Sequence, residues 1–168
     1  MTDLRSHDWA ADLIFDSGVM SHGFTSYMRD YDVVIDVPAL GPDGSGSYIE
    51  GRYRYRFTHC VEAAVKTQVP PETWRQSWSD EFISYSAWEQ AGEPSGFVWG
   101  TEWAEAYPGV ERVEVSESVA AWSEALGKPM HGIRIETNAY VIELVCHDLV
   151  VTRLATGDPV TGELRPVD

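Results

Sequence analysis

The segment from Arg52 to Lys66 limits the fold more than any other part of the 168-residue chain. Its odd positions read Tyr53, Tyr55, Phe57, His59, Val61, Ala63 and Val65. Its even positions read Arg52, Arg54, Arg56, Thr58, Cys60, Glu62, Ala64 and Lys66. A period of two puts every second side chain on one face, which a strand can bury and a helix cannot. A second run, Tyr31 to Val37, alternates in the same way, and the turn-rich stretch from Pro38 to Ser47 separates the two. Joined as a hairpin centred near Gly44, they place Asp36 across from Arg52 and Asp32 across from Arg56. Exposed pairs of this kind add about 0.2–1 kcal/mol each. The three arginines are therefore read as partners on the sheet surface and not as a phosphate site.

The remaining elements are read from the same patterns. A helix is expected near Trp9 to Phe15, ending at Gly18. Proline and an acid open a helix at Val69 to Trp74. Asp80 to Trp88 and Phe97 to Trp103 read as strands or extended segments, with a turn at Pro108-Gly109. Ser116 to Leu126 is the clearest helix, capped by serine, with Val119, Trp122 and Leu126 on one stripe and Gly127 behind it. Three strands, Ile133–Thr137, Tyr140–Cys146 and Leu149–Leu154, follow as a meander with turns at Asn138-Ala139 and His147-Asp148. That register collects Ile133, Ile135, Ile142, Leu144, Cys146, Leu149 and Val151 on one face, and sets Arg134 opposite Glu143. The expected fold class is α+β: a single domain over residues 1–155, mostly antiparallel sheet of five or more strands, with two or three helices packed on one face. Residues 156–168 are expected to be a poorly ordered tail.

Charge narrows the function classes. Twenty-seven acids against 12 bases give a formal net charge of −15, which repels phosphate backbones and anionic membrane surfaces. The excess is local. Residues 79–124 hold ten acids and one base, Arg112, together with Trp88, Trp99, Trp103 and Trp122. Met1 to Ala11 has no apolar run, so a signal peptide is not expected, and no stretch reaches the roughly 20 apolar residues of a membrane helix. The two cysteines, Cys60 and Cys146, have no metal-ligand spacing and fit a reducing compartment, so a cytoplasmic protein is expected.

The motifs that could carry chemistry have competing structural explanations. Cys146-His147-Asp148 falls where two strands must reverse, and Asp tolerates a tight turn. The loop Gly41 to Gly46 lacks the Lys-Ser/Thr and helix of a phosphate cradle. No Gly-x-Ser-x-Gly is present, and Cys60 points to the opposite face of the strand from His59. Neither a catalytic residue, a metal ligand nor a cofactor is assigned. His59 lies on the expected apolar face, and with Tyr53 and Tyr55 it outlines a possible pocket. Trp99, Trp103 and Tyr107 recur every four residues with Glu102 and Glu105 between them, a pattern suited to a contact patch for a basic partner.

Several stretches resemble the YxiG-like family of uncharacterised bacterial proteins: His22 to Asp32, Phe57 to Ala63, Val98-Trp99-Gly100, Ile135 to Asn138, and Val145 to Leu149. The match departs from the family phrasing at Val145-Cys146, where a phenylalanine is expected before His147-Asp148. The resemblance implies no established activity. Through the association of its name-giving member with a contact-dependent toxin locus, it implies an immunity-type role.

These readings converge on a non-enzymatic binding protein that engages a basic protein through Ser79 to Glu124. A small-ligand protein or enzyme with a pocket at His59, and an oligomeric structural protein, are the alternatives.

Overall fold

The computed structural model describes residues 14, 17–25, 28–37, 50–76, 84–94, 104–113, 116–155 and 157–158. Eight strands lie within them: β1 (Gly18–Phe24), β2 (Tyr31–Val37), β3 (Gly51–Thr58), β4 (Glu62–Thr67), β5 (Ala104–Val113), β6 (His131–Thr137), β7 (Tyr140–Cys146) and β8 (Asp148–Arg153). The helices are α1 (Pro71–Gln76), α2 (Tyr85–Gln90) and α3 (Glu117–Leu126).

The β2–β3 hairpin has the register that its charges specify, with Asp36 facing Arg52 and Asp32 facing Arg56. The Asp32–Arg56 pair is not on an open surface. Asp32 is 5% exposed and accepts two 2.8 Å bonds from the Arg56 guanidinium, while Arg54 Nε lies 3.4 Å from its Oδ2.

Neighbouring strands follow the order β4-β7-β6-β5-β1-β2-β3-β8, all antiparallel. The first and last members of that order are not independent strands. β4 continues β3 after a short break at 59–61, and β8 continues β7 after His147. The two long, bent strands pair with each other along both halves, β3 with β8 and β4 with β7. The ladders therefore return on themselves, and the sheet closes into a barrel whose inner face is its own core. Tyr55, Phe57, Ile35, Ile135 and Ile142 are fully buried there.

Closure requires a corner, and the corner is a bulge. Thr58 faces Asp148, yet Glu62 faces Val145, so three residues on one strand span two on the other. An extra residue bends a strand and sharpens its twist. His59 takes the left-handed conformation there, with φ of 47°. The bulge breaks the expected alternation: Cys60 is buried in the core, while Val61 and Glu62 both turn toward α3.

The α+β expectation, with two or three helices packed on one face, is corrected by this architecture. The fold is sheet-dominated, the helices are six, six and ten residues long, and the core lies between strands. A sheet that closes buries its apolar face on itself and needs no helical layer. Among the described residues, α3 alone joins a buried cluster on the outer face, where Val119 and Trp122 meet Val61, Met130 and Val145. Ser116 caps its start, and Gly127 ends it in the left-handed conformation. Leu126, expected on its apolar stripe, is exposed.

Four local readings also change. The turn at His147 does not make a hairpin, because β8 pairs with β3. Of the segment Asp80 to Trp88, read as a strand or extended, the described part from Tyr85 is helical, in Tyr85–Gln90, because Ser84 caps it, its side chain accepting from Ala87 N. Pro108-Gly109 is a bulge inside β5 and not a turn, since Ala106 faces Thr137 while Gly109 faces Glu136. Gly18 opens β1. The Asn138-Ala139 turn and the Arg134–Glu143 pairing are as expected. The helix expected at Trp9 to Phe15 (Ile14 apart), the loop Pro38 to Ser47 and the strand Phe97 to Trp103 lie outside the described residues. So does all but a little of the tail, where Asp158 ties back to Ala155. No helix among the described residues is long and apolar enough to cross a membrane.

Candidate functional site

The bulge and α3 together build a groove of about 680 Å³ at one end of β4. Its apolar lining includes Phe24, Val61, Ala64, Val113 and Val145. Glu62 lies on the same wall, and one of its oxygens accepts from both Ser118 Oγ at 2.5 Å and Trp122 Nε1 at 2.6 Å. Those two hydrogen bonds favour the ionised form and hold the carboxyl below the usual glutamate range. Neither donor carries charge. Among the described residues no cation forms an ion pair with Glu62, whereas Glu143, on the adjoining strand β7, is matched by Lys66 at 3.0 Å. Glu117 and Glu124 extend the acidic surface along α3, which has no basic residue in its last turn. The groove thus offers an apolar floor beside an uncompensated negative charge. It can hold a chain bearing a cationic side chain whose methylene stem lies on the floor.

The barrel corner gathers a second group of polar residues. The sequence places His59-Cys60 and Cys146-His147 far apart, and the bent strands bring them together, with the two imidazoles edge to face at 5.7 Å. Asp30 accepts from the His59 backbone N–H at 3.0 Å and pairs with Arg29 at 3.2 Å. His147 Nδ1 meets the Pro129 carbonyl at 2.8 Å, and His59 Nδ1 is buried without a hydrogen-bond partner among the described residues. Both thiols are buried and pushed up to about 12, chiefly by burial, so neither is a nucleophile at neutral pH. No group of three or more His, Cys, Asp or Glu side chains among the described residues could hold a metal ion.

This corner is expected to make the fold acid-sensitive. Burial lowers His59 below the usual value of 6.5, assisted by Lys128, Arg29 and His147 and opposed by Asp30. His22, bonded to the Tyr31 hydroxyl at 2.7 Å, is also lowered by burial. A lowered imidazole means that the unfolded chain takes up protons first as pH drops. Stability is then unaffected above 6.5 and falls as pH descends from there toward the folded values. Urea unfolding between pH 7.5 and 5 is expected to show this slope, and His59→Asn, which tolerates the left-handed backbone, is expected to flatten it. A slope unchanged in that variant contradicts the assignment. Asp30 acts in a lower range. Burial raises its pKa, but bonds from Arg29 and the His59 N–H outweigh that and lower it, so its contribution is lost as pH falls below 3.8.

The residues singled out in the sequence are not assembled into one site. Tyr53 and Tyr55 are buried in the core, while His59 stands at the corner, displaced by the bulge. Glu105 and Tyr107 flank buried Ala106 and face outward on β5, with Tyr107 63% exposed. Trp99, Glu102 and Trp103 lie outside the described residues. No spacing in the sequence links Glu62, Ser118 and Trp122, because Glu62 and Trp122 are 60 residues apart and meet only across the fold.

The strand pattern and the corner motifs coincide with the stretches of family resemblance, and the match to the family model for YxiG-like protein covers residues 4–161. The chain belongs to the YxiG-like family. This membership spans β1 to β8 and includes both the groove and the corner, but by itself assigns no activity. No curated protein matches the chain in sequence.

Proposed function

We propose that this YxiG-like protein is a non-enzymatic binding protein for a basic protein partner, received at the groove between β4 and α3. The observation that carries the reading is the Glu62 carboxylate, ionised, held by two neutral donors and unmatched by a cation among the described residues. The net charge of −15 supports it, since an acidic surface accelerates encounter with a cationic partner and salt weakens that effect. The acidic, tryptophan-rich segment of the sequence contributes Glu117, Trp122 and Glu124 to this surface. In its immunity-like form the partner is a basic toxin. The buried free thiols of Cys60 and Cys146 support a reducing, cytoplasmic setting.

The test uses a synthetic basic peptide with lysines separated by valines. Glu62→Gln keeps the side-chain shape and an acceptor for Ser118 and Trp122. It is expected to weaken peptide binding about tenfold at low salt, and the difference from wild type should shrink at high salt. Equal affinities for wild type and variant at low salt would remove Glu62 from the site.

A further inference from the structure

Resting on that reading, we infer that the partner segment binds as an added antiparallel strand along the outer edge of β4, with a cationic side chain directed at Glu62. β4 stands at the end of the strand order, paired on one side with β7. On its other side the ladder stops at the corner, where Cys60 N–H donates to the Arg29 carbonyl at 2.7 Å, and β2 begins only at Tyr31. From Ala64 to Thr67 the strand is exposed throughout, with Val65 47% exposed.

Among the described residues, the free donors of β4 follow from its register. Gln68 N–H donates to the Ala139 carbonyl, and this pairing lies in the same register as Lys66 with Val141, Ala64 with Glu143 and Glu62 with Val145. Antiparallel strands alternate between residues bonded to the neighbour and residues turned away from it. The groups turned away are therefore those of Ala63, Val65 and Thr67. Exposed edges are ordinarily blunted by proline, by lysine or by a bulge within the strand. β4 has no proline, its single lysine is engaged with Glu143, and its bulge precedes it, leaving an unbroken row of donors and acceptors. Strand addition at such an edge takes affinity from the main chain and selectivity from adjoining pockets, and the groove beginning at Val61 is that pocket.

The occupant is a basic segment and not a second copy, because a net charge of −15 on each chain opposes self-association. The alternating valine–lysine peptide is the probe. Val65→Pro removes an outward N–H without touching a ladder bond to β7, and Val65→Thr changes the side chain alone. Val65→Pro is expected to weaken binding by about tenfold or more while Val65→Thr stays within about twofold of wild type. A peptide N-methylated at alternate residues, on the edge that would face β4, leaves the protein unaltered and is expected to lose binding equally. Retained binding by the N-methylated peptide overturns strand addition. If Glu62→Gln still weakens binding in that case, the groove reading survives and only the strand geometry falls. A wild-type dimer in light scattering that Val65→Pro converts to monomer would assign the edge to a second copy and overturn the proposal.

Discussion

Phe57→Ala is expected to cost about 3–5 kcal/mol of unfolding free energy, the range for removing a fully buried aromatic ring. Phe57 is 0% exposed and points inward from β3, where a closed sheet has no second layer that could settle into the space. Domains of this size are stable by about 5–15 kcal/mol in total, so the urea midpoint should fall steeply and expression should suffer. Val150→Ala, on the edge strand β8 and 47% exposed, is the matched control and should stay within about 0.5 kcal/mol. A loss below about 1 kcal/mol for Phe57→Ala would mean that the ring does not fill the core.

Asp32→Ala is expected to cost about 3 kcal/mol, a buried-pair value. Its carboxylate is the bidentate acceptor for Arg56, and its removal leaves a guanidinium at a partly buried site without that acceptor. Asp36, two residues along the same row, reaches Arg52 only at 4.0 Å with both side chains partly exposed. Asp36→Ala should therefore cost less than about 1 kcal/mol. Urea unfolding of the two variants beside wild type checks the contrast. Equal costs would show that burial does not separate the two pairs.

That contrast also marks how far the sequence can be read. The charges on Tyr31–Val37 and Arg52–Thr58 specify which residues face each other, because register is a local matter of alternation and turn length. They do not specify the strength of each pair, because burial of Asp32 depends on the whole fold. The inward face of β6, β7 and β8 was legible for the same reason. The partner of β8 was not. His147 reads as a hairpin turn, and a one-residue break between strands looks the same whether the chain reverses or bends. Only the match between two long strands, 51–67 and 140–153, distinguishes the cases, and it is non-local. The bulge at His59 had a weak signal at most: the uninterrupted alternation through His59 argued for a flat strand, and closure of the barrel overrode it. Missing that bulge put Cys60 and Val61 on the wrong faces, which hid the apolar wall of the groove. The acidic, tryptophan-rich segment was visible as composition, yet its contact with β4 through Trp122 was not, since nothing in spacing links Glu62 to a helix 60 residues away.

The site where a basic partner touches the protein is the central point. Backbone amide spectra recorded while the valine–lysine peptide is added locate that contact directly. The largest changes are expected at Val61 to Thr67 and at Ser118 to Ser123, with Trp122 Nε1 shifting as Glu62 engages a cation. A competing location exists in the hollow of mixed charge lined by Asp36, Glu50, Arg52 and Arg153, where Arg153 already donates to the Glu50 carbonyl. Changes centred there, or spread evenly over the acidic surface with β4 and α3 unmoved, would contradict the assignment of the groove.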